Sequence, residues 1–460
     1  MLQITPNSRS HTIRRNDLRR FLSMLSKRFS IVLFLSSFLW TGCKKKNPSA
    51  QAPNKRQKKA AQKQTIKNLV QLDTKLVWHK PVRERLNKML QEIKQQKAKA
   101  KSKRLVAVFD WDNTVIRGDI GSSTTFWMIR NGKIKQRAKR DWSIIPHLTK
   151  EAAKRLNKVC GPLAAPGKPL PTNKPSDCTT ELSSLYGKRK VGGKDAFTGY
   201  HFLTYRPSTA FQTHAFVGYS KLQIQQFVKK ALQEQLKSPI GQHKSLAGQK
   251  YEGYIRYNPQ MLNLIKKLNG LGVEVWLVSA SPQAVLEVIA KPTGLPTSRM
   301  IGIRPLFDKN KLFTYGYKGC GGFPDGQSNL ITYIQGKRCW INQVIFGIKG
   351  ADALKPAPKE KRAIFGAGDA DTDLSMMQDI NGPRLIFNRN KNALMCYAYH
   401  NADKNWWIHP TFIAPKPQKK AGYACDKTAC INAKGQKIPC IDMHGKTIPH
   451  QKDKTFSTIK

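Results

Sequence analysis

Residues 105–115 read L-V-A-V-F-D-W-D-N-T-V. The first five form a short continuous apolar run, the pattern of a strand buried on both faces of a parallel sheet. Asp110 and Asp112 follow at once. The chain of 460 residues has 28 acidic side chains against 81 Lys and Arg, so two acids at the end of one buried strand stand out. Side chains two apart can project to the same side of a loop, and open α/β sheets bind ligands at the carboxyl ends of their strands. Two Asp near a strand end can also be plain turn formers or helix caps. The rest of the chain decides between these readings.

Further short apolar runs occur at 273–278 (V-E-V-W-L-V), 364–367 (I-F-G-A) and 385–387 (L-I-F). Helical patterns separate them. Asn258-Pro259 caps and starts a helix whose Leu262, Ile265 and Leu268 recur at helical spacing until Gly270; Ser281-Pro282 opens another, and 374–377 continues the pattern. Strands alternating with helices predict an α/β fold with a doubly wound parallel sheet. Residues 119–257 interrupt the rhythm. They carry an amphipathic helix of their own (Leu222, Ile224, Phe227, Val228, Leu232, Leu236), which predicts a folded, mainly helical cap inserted into the core. From 415 a Cys-containing tail begins, with a tandem repeat: C-I-N-A-K-G-Q-K-I-P at 430–439, then C-I-D-M-H-G-K-T-I-P at 440–449. Each copy places a Gly turn between β-prone ends, so two copies predict a small disulfide-held hairpin module. The expected organisation is a leader at 1–43, a basic flexible linker at 44–66, core halves at 67–118 and 258–414, the cap at 119–257 and the tail at 415–460.

A second acidic cluster, G-A-G-D-A-D-T-D, ends the third apolar run and holds Asp369, Asp371 and Asp373. Bringing it beside Asp110 costs a large repulsion unless a cation neutralises it. A hard divalent ion with oxygen ligands is the natural solution, and Mg²⁺ is the expected cofactor.

D-W-D-N-T-V resembles the first motif of the haloacid dehalogenase (HAD) superfamily, DxDxT. Ser279 looks like its second motif, Lys349 in G-I-K-G like its third, and G-D-A-D-T-D like its fourth, in the same order along the chain. Within the superfamily the stretch G-D-A-D-T-D-L-S-M is similar to that of phosphoserine phosphatase-like enzymes, and more narrowly to exported phosphorylcholine phosphatases. The resemblance implies a Mg²⁺-dependent phosphatase in which Asp110 is the nucleophile and forms an aspartyl-phosphate, and Asp112 protonates the leaving alkoxide and then activates water. Ser279 and the amide of Asn113 or of nearby residues would hold phosphate oxygens, and Lys349 would offset charge on the phosphoryl group and the nucleophile. Asp110, the carbonyl of Asp112 and Asp369 would ligate the metal, with Asp373 supporting that shell. Ser281 competes with Ser279, and Lys355, Lys359 and Lys361 compete with Lys349. Asp371 is read as a loop residue outside the site.

Asp119, nine residues after Asp110, matches the place where phosphoserine phosphatases carry a Glu that meets an ammonium group. A small phosphate ester bearing a cation is therefore expected as substrate: phosphorylcholine, phosphoethanolamine or phosphoserine. The cap's aromatics, among them Trp127, Trp142, Tyr186, Phe202 and Tyr205, are numerous enough for a quaternary ammonium cage, although each one singly reads as cap core.

The formal charge of +53 is spread along the chain, and its densest run, 44–63, holds eight basic residues and no acid. This spread argues against a localised nucleic-acid footprint, so nucleic acid is not an expected partner, while the linker suits an anionic envelope surface. A cationic envelope or nucleic-acid binder on a degenerate phosphatase core is the alternative of a different class. Before the linker, Lys27 and Arg28 lead into an apolar stretch at 29–39 that ends in Trp40-Thr41-Gly42-Cys43. Gly42-Cys43 resembles the lipobox of bacterial lipoproteins, although Trp40 stands where that pattern prefers Leu. The expected address is export to the periplasm or envelope, with membrane attachment through lipid at Cys43 or an N-terminal anchor, or a plain signal peptide. Nine cysteines fit it: with Cys43 set aside, eight remain, an even number suited to an oxidising compartment. Local disulfides are expected for Cys160 with Cys178 and Cys320 with Cys339. Pairing among Cys396, Cys425, Cys430 and Cys440 is left open.

Overall fold

The computed structural model describes residues 69–100 and 102–457; the leader and linker expected over 1–66 lie outside them. Six strands make one sheet: β1 (Val106–Phe109), β2 (Glu274–Pro282), β3 (Met300–Ile303), β4 (Phe365–Gly368), β5 (Arg384–Asn388) and β6 (Trp406–Pro410). Their order is β6-β5-β4-β1-β2-β3, and every neighbouring pair is parallel. This is the doubly wound α/β sheet expected. The two edge strands escaped the sequence reading. β3 is a four-residue run containing Gly302, and β6 carries His409 and ends in Pro410, the kind of strand that only an edge tolerates.

All four residues of β1 are buried, and their alternation feeds two cores. Ala107 and Phe109 point into one cluster, Val106 and Val108 into the other. Helix Lys80–Lys99 covers the first face with Val82, Leu86, Met89, Leu90 and Ile93. Helix Pro259–Gly270 adds Met261, Leu264, Ile265 and Leu268. Each such side chain contributes about 1.5–3 kcal/mol on burial. Helices Gln335–Val344, Leu374–Gln378 and Asn392–His400 cover the other face.

The cap leaves and re-enters the core through an antiparallel pair, Ile116–Arg117 with Arg256–Tyr257. Between them run helices Ile120–Arg130, Lys150–Cys160, Asp177–Gly187, Pro207–His214 and Lys221–Lys237. The last is the amphipathic helix expected. Its Ser220 and Gln223 form a reciprocal capping box and Ile224 and Val228 are buried, but Leu222 and Leu236 at its ends are 63% and 36% exposed. A second excursion was not foreseen. The hairpin Pro305–Phe307 and Phe313–Tyr317 joins the cap through Gly218 N to Phe313 O (3.0 Å) and Phe313 N to Tyr219 O (2.9 Å).

Four disulfides link Cys160–Cys178, Cys320–Cys339, Cys396–Cys425 and Cys430–Cys440. The first two are those expected, and the full set suits an oxidising compartment. In the tail each repeat copy closes the same turn. Asn432 Oδ1 accepts from Lys434 N and Gln436 N, both 3.0 Å, and Asp442 Oδ1 accepts from His444 N (2.8 Å) and Lys446 N (2.9 Å). Gly435 and Gly445 take φ +80° and +76°, which an L side chain adopts only with strain. Among the described residues no helix is long and apolar enough to cross a membrane.

Two buried histidines make the fold acid-sensitive. His214 is pushed down to about 3 by burial and then by Arg137, and His409 to about 3 by burial, which outweighs its bond to Pro410 O. Each stays neutral when folded, while the unfolded chain takes up a proton below about 6.5. Their contribution is thus fully present above that value and is lost as pH falls toward 3. Urea unfolding between pH 6 and 5 should show a stability slope smaller by about 1 kcal/mol per pH unit in His409→Asn than in the parent. Equal slopes would refute the neutral, buried state of His409.

Candidate active site

The sheet order reverses direction at β1, which pairs with β4 on one side and β2 on the other. Phe109 and Ala367 are register partners, so the next residues of the two strands, Asp110 and Gly368-Asp369, emerge side by side at the strand spacing of about 4.8 Å. Asp110 N donates to Ala367 O (2.9 Å) and locks the two ends together. Asp373 then folds back. Its Oδ2 accepts from Asp369 N (2.9 Å) and Ala370 N (3.0 Å), an approach for which Gly368 is needed, because a Cβ there would lie 2.8 Å from that same oxygen. The carboxylates of Asp110, Asp369 and Asp373 come within 4.8 Å of one another, all buried.

Three groups hold this cluster. Lys337 Nζ, fully buried, donates to Asp110 Oδ1 (2.5 Å) and Asp373 Oδ1 (2.6 Å). Arg389 pairs with Asp369 Oδ2. Thr114 Oγ1 lies 3.1 Å from Asp110 Oδ2 and 3.2 Å from Asp369 Oδ1. Burial and then the Asp373 carboxylate push Asp110 well above the ordinary carboxylate range, with Lys337 pulling it back. Burial raises Asp373 as well, with Lys337 opposing. Burial alone would lower the lysine, but the two carboxylates outweigh it and keep it charged.

Asp112 faces elsewhere. Its Oδ1 accepts from Ile120 N (2.8 Å), and its Oδ2 from Ser281 Oγ (2.7 Å) and Ser279 Oγ (3.3 Å). Burial, and after it the nearby Asp119, raises this carboxyl to about 7, against the hydrogen bonds. It can therefore carry a proton near neutral pH.

Several expected residues are placed differently. Lys349 is exposed, at the start of a 3-10 turn, and the lysine beside the acids is Lys337. A detectable signal existed, since Trp340 and Ile341 follow Lys337 at i+3 and i+4 and put it on the buried face of Gln335–Val344. Ser279 is wholly buried and accepts from Ser281 N (3.0 Å), whereas Ser281 lines the cavity; β2 continues through both serines, and the helix expected to open at Ser281-Pro282 starts at Gln283. Asn113 lines the cavity with φ +61°. However, its N–H donates to Gly118 O (3.1 Å) and its Oδ1 accepts from Arg117 (2.7 Å) and Gly118 N (3.2 Å), so its backbone amide is not available to a phosphate. Asp119 caps helix Ile120–Arg130 by accepting from Ser122 N (2.7 Å), and it also lines the cavity. Asp371, left outside the expected site, lines it too and accepts from Leu394 N (2.9 Å).

The cavity above these groups measures about 820 Å³. It draws walls from core, cap and tail, including Phe202, Tyr333 and Tyr397, the arginines Arg189, Arg206 and Arg389, and Ile431, Lys437 and Ile441 of the repeat. Most of the cap aromatics serve as core, as each singly reads, and they build no cage around the cavity. Trp142, Tyr205, Phe211 and Phe216 are buried in the cap and hairpin cores, and Phe202 is the cap aromatic that reaches the cavity wall.

No family model and no curated protein matches the chain. Solved structures do. A conserved functionally unknown protein from Anaerococcus prevotii DSM 20548 is similar with a TM-score of 0.52 at 17% identity, covering 74% of this chain and 94% of that one. A protein with unknown function from Bordetella pertussis Tohama I gives 0.40 at 14% identity, covering 68% and 100%. A phosphoserine phosphohydrolase-like protein from Francisella tularensis subsp. tularensis SCHU S4 gives 0.28 at 12% identity, covering 62% and 87%. The Anaerococcus protein shares this fold.

Lys337→Met should leave two buried carboxylates without their cation and cost about 3–5 kcal/mol of unfolding free energy measured at neutral pH without added metal. Lys349→Ala should stay within about 0.5 kcal/mol of the parent. The reverse ranking in urea titrations would return the central role to Lys349.

Proposed function

We propose that this protein is a Mg²⁺-dependent phosphomonoester hydrolase of HAD type, acting on a small phosphate ester through an aspartyl-phosphate. The observation that carries the reading is the division of labour between two carboxyls two residues apart. Asp110 sits in the acidic cluster against Lys337, while Asp112 lies outside it, on Ser281 and the N-terminus of the first cap helix, with its carboxyl raised to about 7. Paired acids in unlike environments are how one site runs nucleophilic and acid–base chemistry at the same pH.

The donor set fits the metal. Asp110, Asp369 and Asp373 offer only hard oxygen ligands, buried and close. Asp110 and Asp369 would hold the ion together with the Asp112 carbonyl. Asp373 takes Lys337 on one oxygen and two backbone amides on the other and would support that shell. When bound, Mg²⁺ supplies positive charge to the phosphoryl oxygens and holds Asp110 in its ionised form. An Asp110 oxygen then attacks phosphorus as the ester oxygen leaves, and Asp112 gives that oxygen its proton. Asp112 next takes a proton from the water that attacks the phosphoryl group, which releases phosphate and restores Asp110. Lys337 offsets charge on Asp110 and the phosphoryl group, and Ser281, with Ser279 behind it, aims Asp112. Asp119 supports an ester with an ammonium group, as in phosphorylcholine, phosphoethanolamine or phosphoserine. The four disulfides support export. Attachment through Cys43 and contact of the linker with an anionic envelope are proposed on residues 1–66 alone.

Asp110→Asn should abolish Mg²⁺-dependent phosphate release from p-nitrophenyl phosphate and phosphoethanolamine, and chelation should do the same to the parent. Asp112→Asn should slow phosphoethanolamine by about 10²–10⁴-fold and p-nitrophenyl phosphate much less, because p-nitrophenolate leaves without a proton. Full activity in Asp110→Asn, or equal losses for the two esters in Asp112→Asn, would defeat the mechanism.

A further inference from the structure

The cleft contains cations for which the reaction above has no use. Of the acids on its wall, Asp369 is paired with Arg389 and Glu252 with Arg117. Arg338 is taken by Asp379. Asp119 and Asp371 accept from backbone amides. Arg189, Arg206, Lys391 and Lys437 also line the cavity, and among the described residues none of the four is in an ion pair.

They arrive from three parts of the molecule. Arg189 follows helix Asp177–Gly187 and Arg206 caps helix Pro207–His214, both in the cap. Lys391 stands just before helix Asn392–His400 in the core. Lys437 stands on the first repeat hairpin of the tail. The tail is fixed there by Phe202 N donating to Ala433 O (2.8 Å), by Tyr397 Oη donating to Ile441 O (2.6 Å), and by the Cys430–Cys440 bond. The Arg206 guanidinium lies 6.0 Å from the centre of the Tyr333 ring, and its buried Nε has no hydrogen-bond partner. Burial, and after it the charge of Arg389, holds Lys391 below the ordinary lysine range, with Asp369 and Asp371 opposing and Arg206 adding to the effect, which places Lys391 and Arg206 in one another's field. Like charges on one cavity wall repel one another, the Asp369 and Asp371 carboxylates act against that at Lys391, and a second anion there would relieve the remaining repulsion and supply the bond that Arg206 Nε lacks.

We propose that Arg189, Arg206, Lys391 and Lys437 form a second anion subsite, so that the preferred ester carries a carboxylate or a further phosphate on its organic half. The proposal rests on the phosphatase reading and narrows its substrate class: of the esters named there only phosphoserine carries such a group, so it sets phosphorylcholine and phosphoethanolamine aside. It also gives the tail a purpose: its hairpin supplies one of the four cations and part of the cleft wall.

The test uses the full chain with Mg²⁺ and short esters that differ in charge at the far end: phosphoglycolate, propyl phosphate and phosphoethanolamine. kcat/KM should be highest for phosphoglycolate, about tenfold or more above both propyl phosphate and phosphoethanolamine. The ratio of phosphoglycolate to propyl phosphate should fall toward one in Arg206→Gln and in Lys437→Gln. 1,3-Propanediol bisphosphate distinguishes a phosphate from a carboxylate as the second group, and a preference for either over propyl phosphate supports the subsite. Calorimetric titration of the same esters into Asp110→Asn reads the preference without turnover. Absence of phosphate release by the parent from every ester defeats the hydrolase, while the titration still decides the subsite. Equal affinities, a preference for phosphoethanolamine, or a ratio unchanged in both variants would overturn the proposal.

Discussion

One buried ion-pair network holds this molecule's chemistry in place: Lys337 bridges Asp110 at the end of β1 and Asp373 beyond β4, with Arg389 on Asp369. Carboxylates taken out of water are each expensive, and three together are more so, because like charges repel. The parallel register of β1 and β4 forces them together regardless. The lysine makes the arrangement tolerable. Burial and mutual repulsion still leave Asp110 and Asp373 raised, and in the proposed hydrolase a further cation would ionise Asp110.

Around that network the chain builds walls from distant segments. The cap leaves and returns through one short antiparallel pair, and the unforeseen hairpin at 305–317 bonds to it. The tail is anchored to the helix after β5 by Cys396–Cys425 and reaches the cap at Phe202. The resulting cleft is bounded by three units, none of which contains it alone. Its lining is richer in arginine than in aromatic rings, which bears directly on what can enter it.

Much of this was legible in residue order. Continuous apolar runs, the Asp pair after the first of them and the G-D-A-D-T-D cluster after the third specify a parallel sheet with acids at its carboxyl ends, because burial on both faces leaves no other use for such runs. The tandem copies specify twin turns, since an Asn or Asp three residues before a Gly closes them locally. These features depend on neighbours along the chain or on strand polarity.

What only the tertiary structure decided is which distant side chains meet. Lys337 rather than Lys349 reaches Asp110 because helix Gln335–Val344 turns it inward, whereas Lys349 stays exposed at the start of a 3-10 turn. Ser281 rather than Ser279 lines the cavity because β2 runs on through both. The aromatics that could have caged a cation fill the cap and hairpin cores instead, because burying large rings stabilises an inserted domain more than exposing them does. Local pattern specifies which residues stand at strand ends; the folding of one element onto another decides their partners, and that choice depends on packing between segments far apart in the chain.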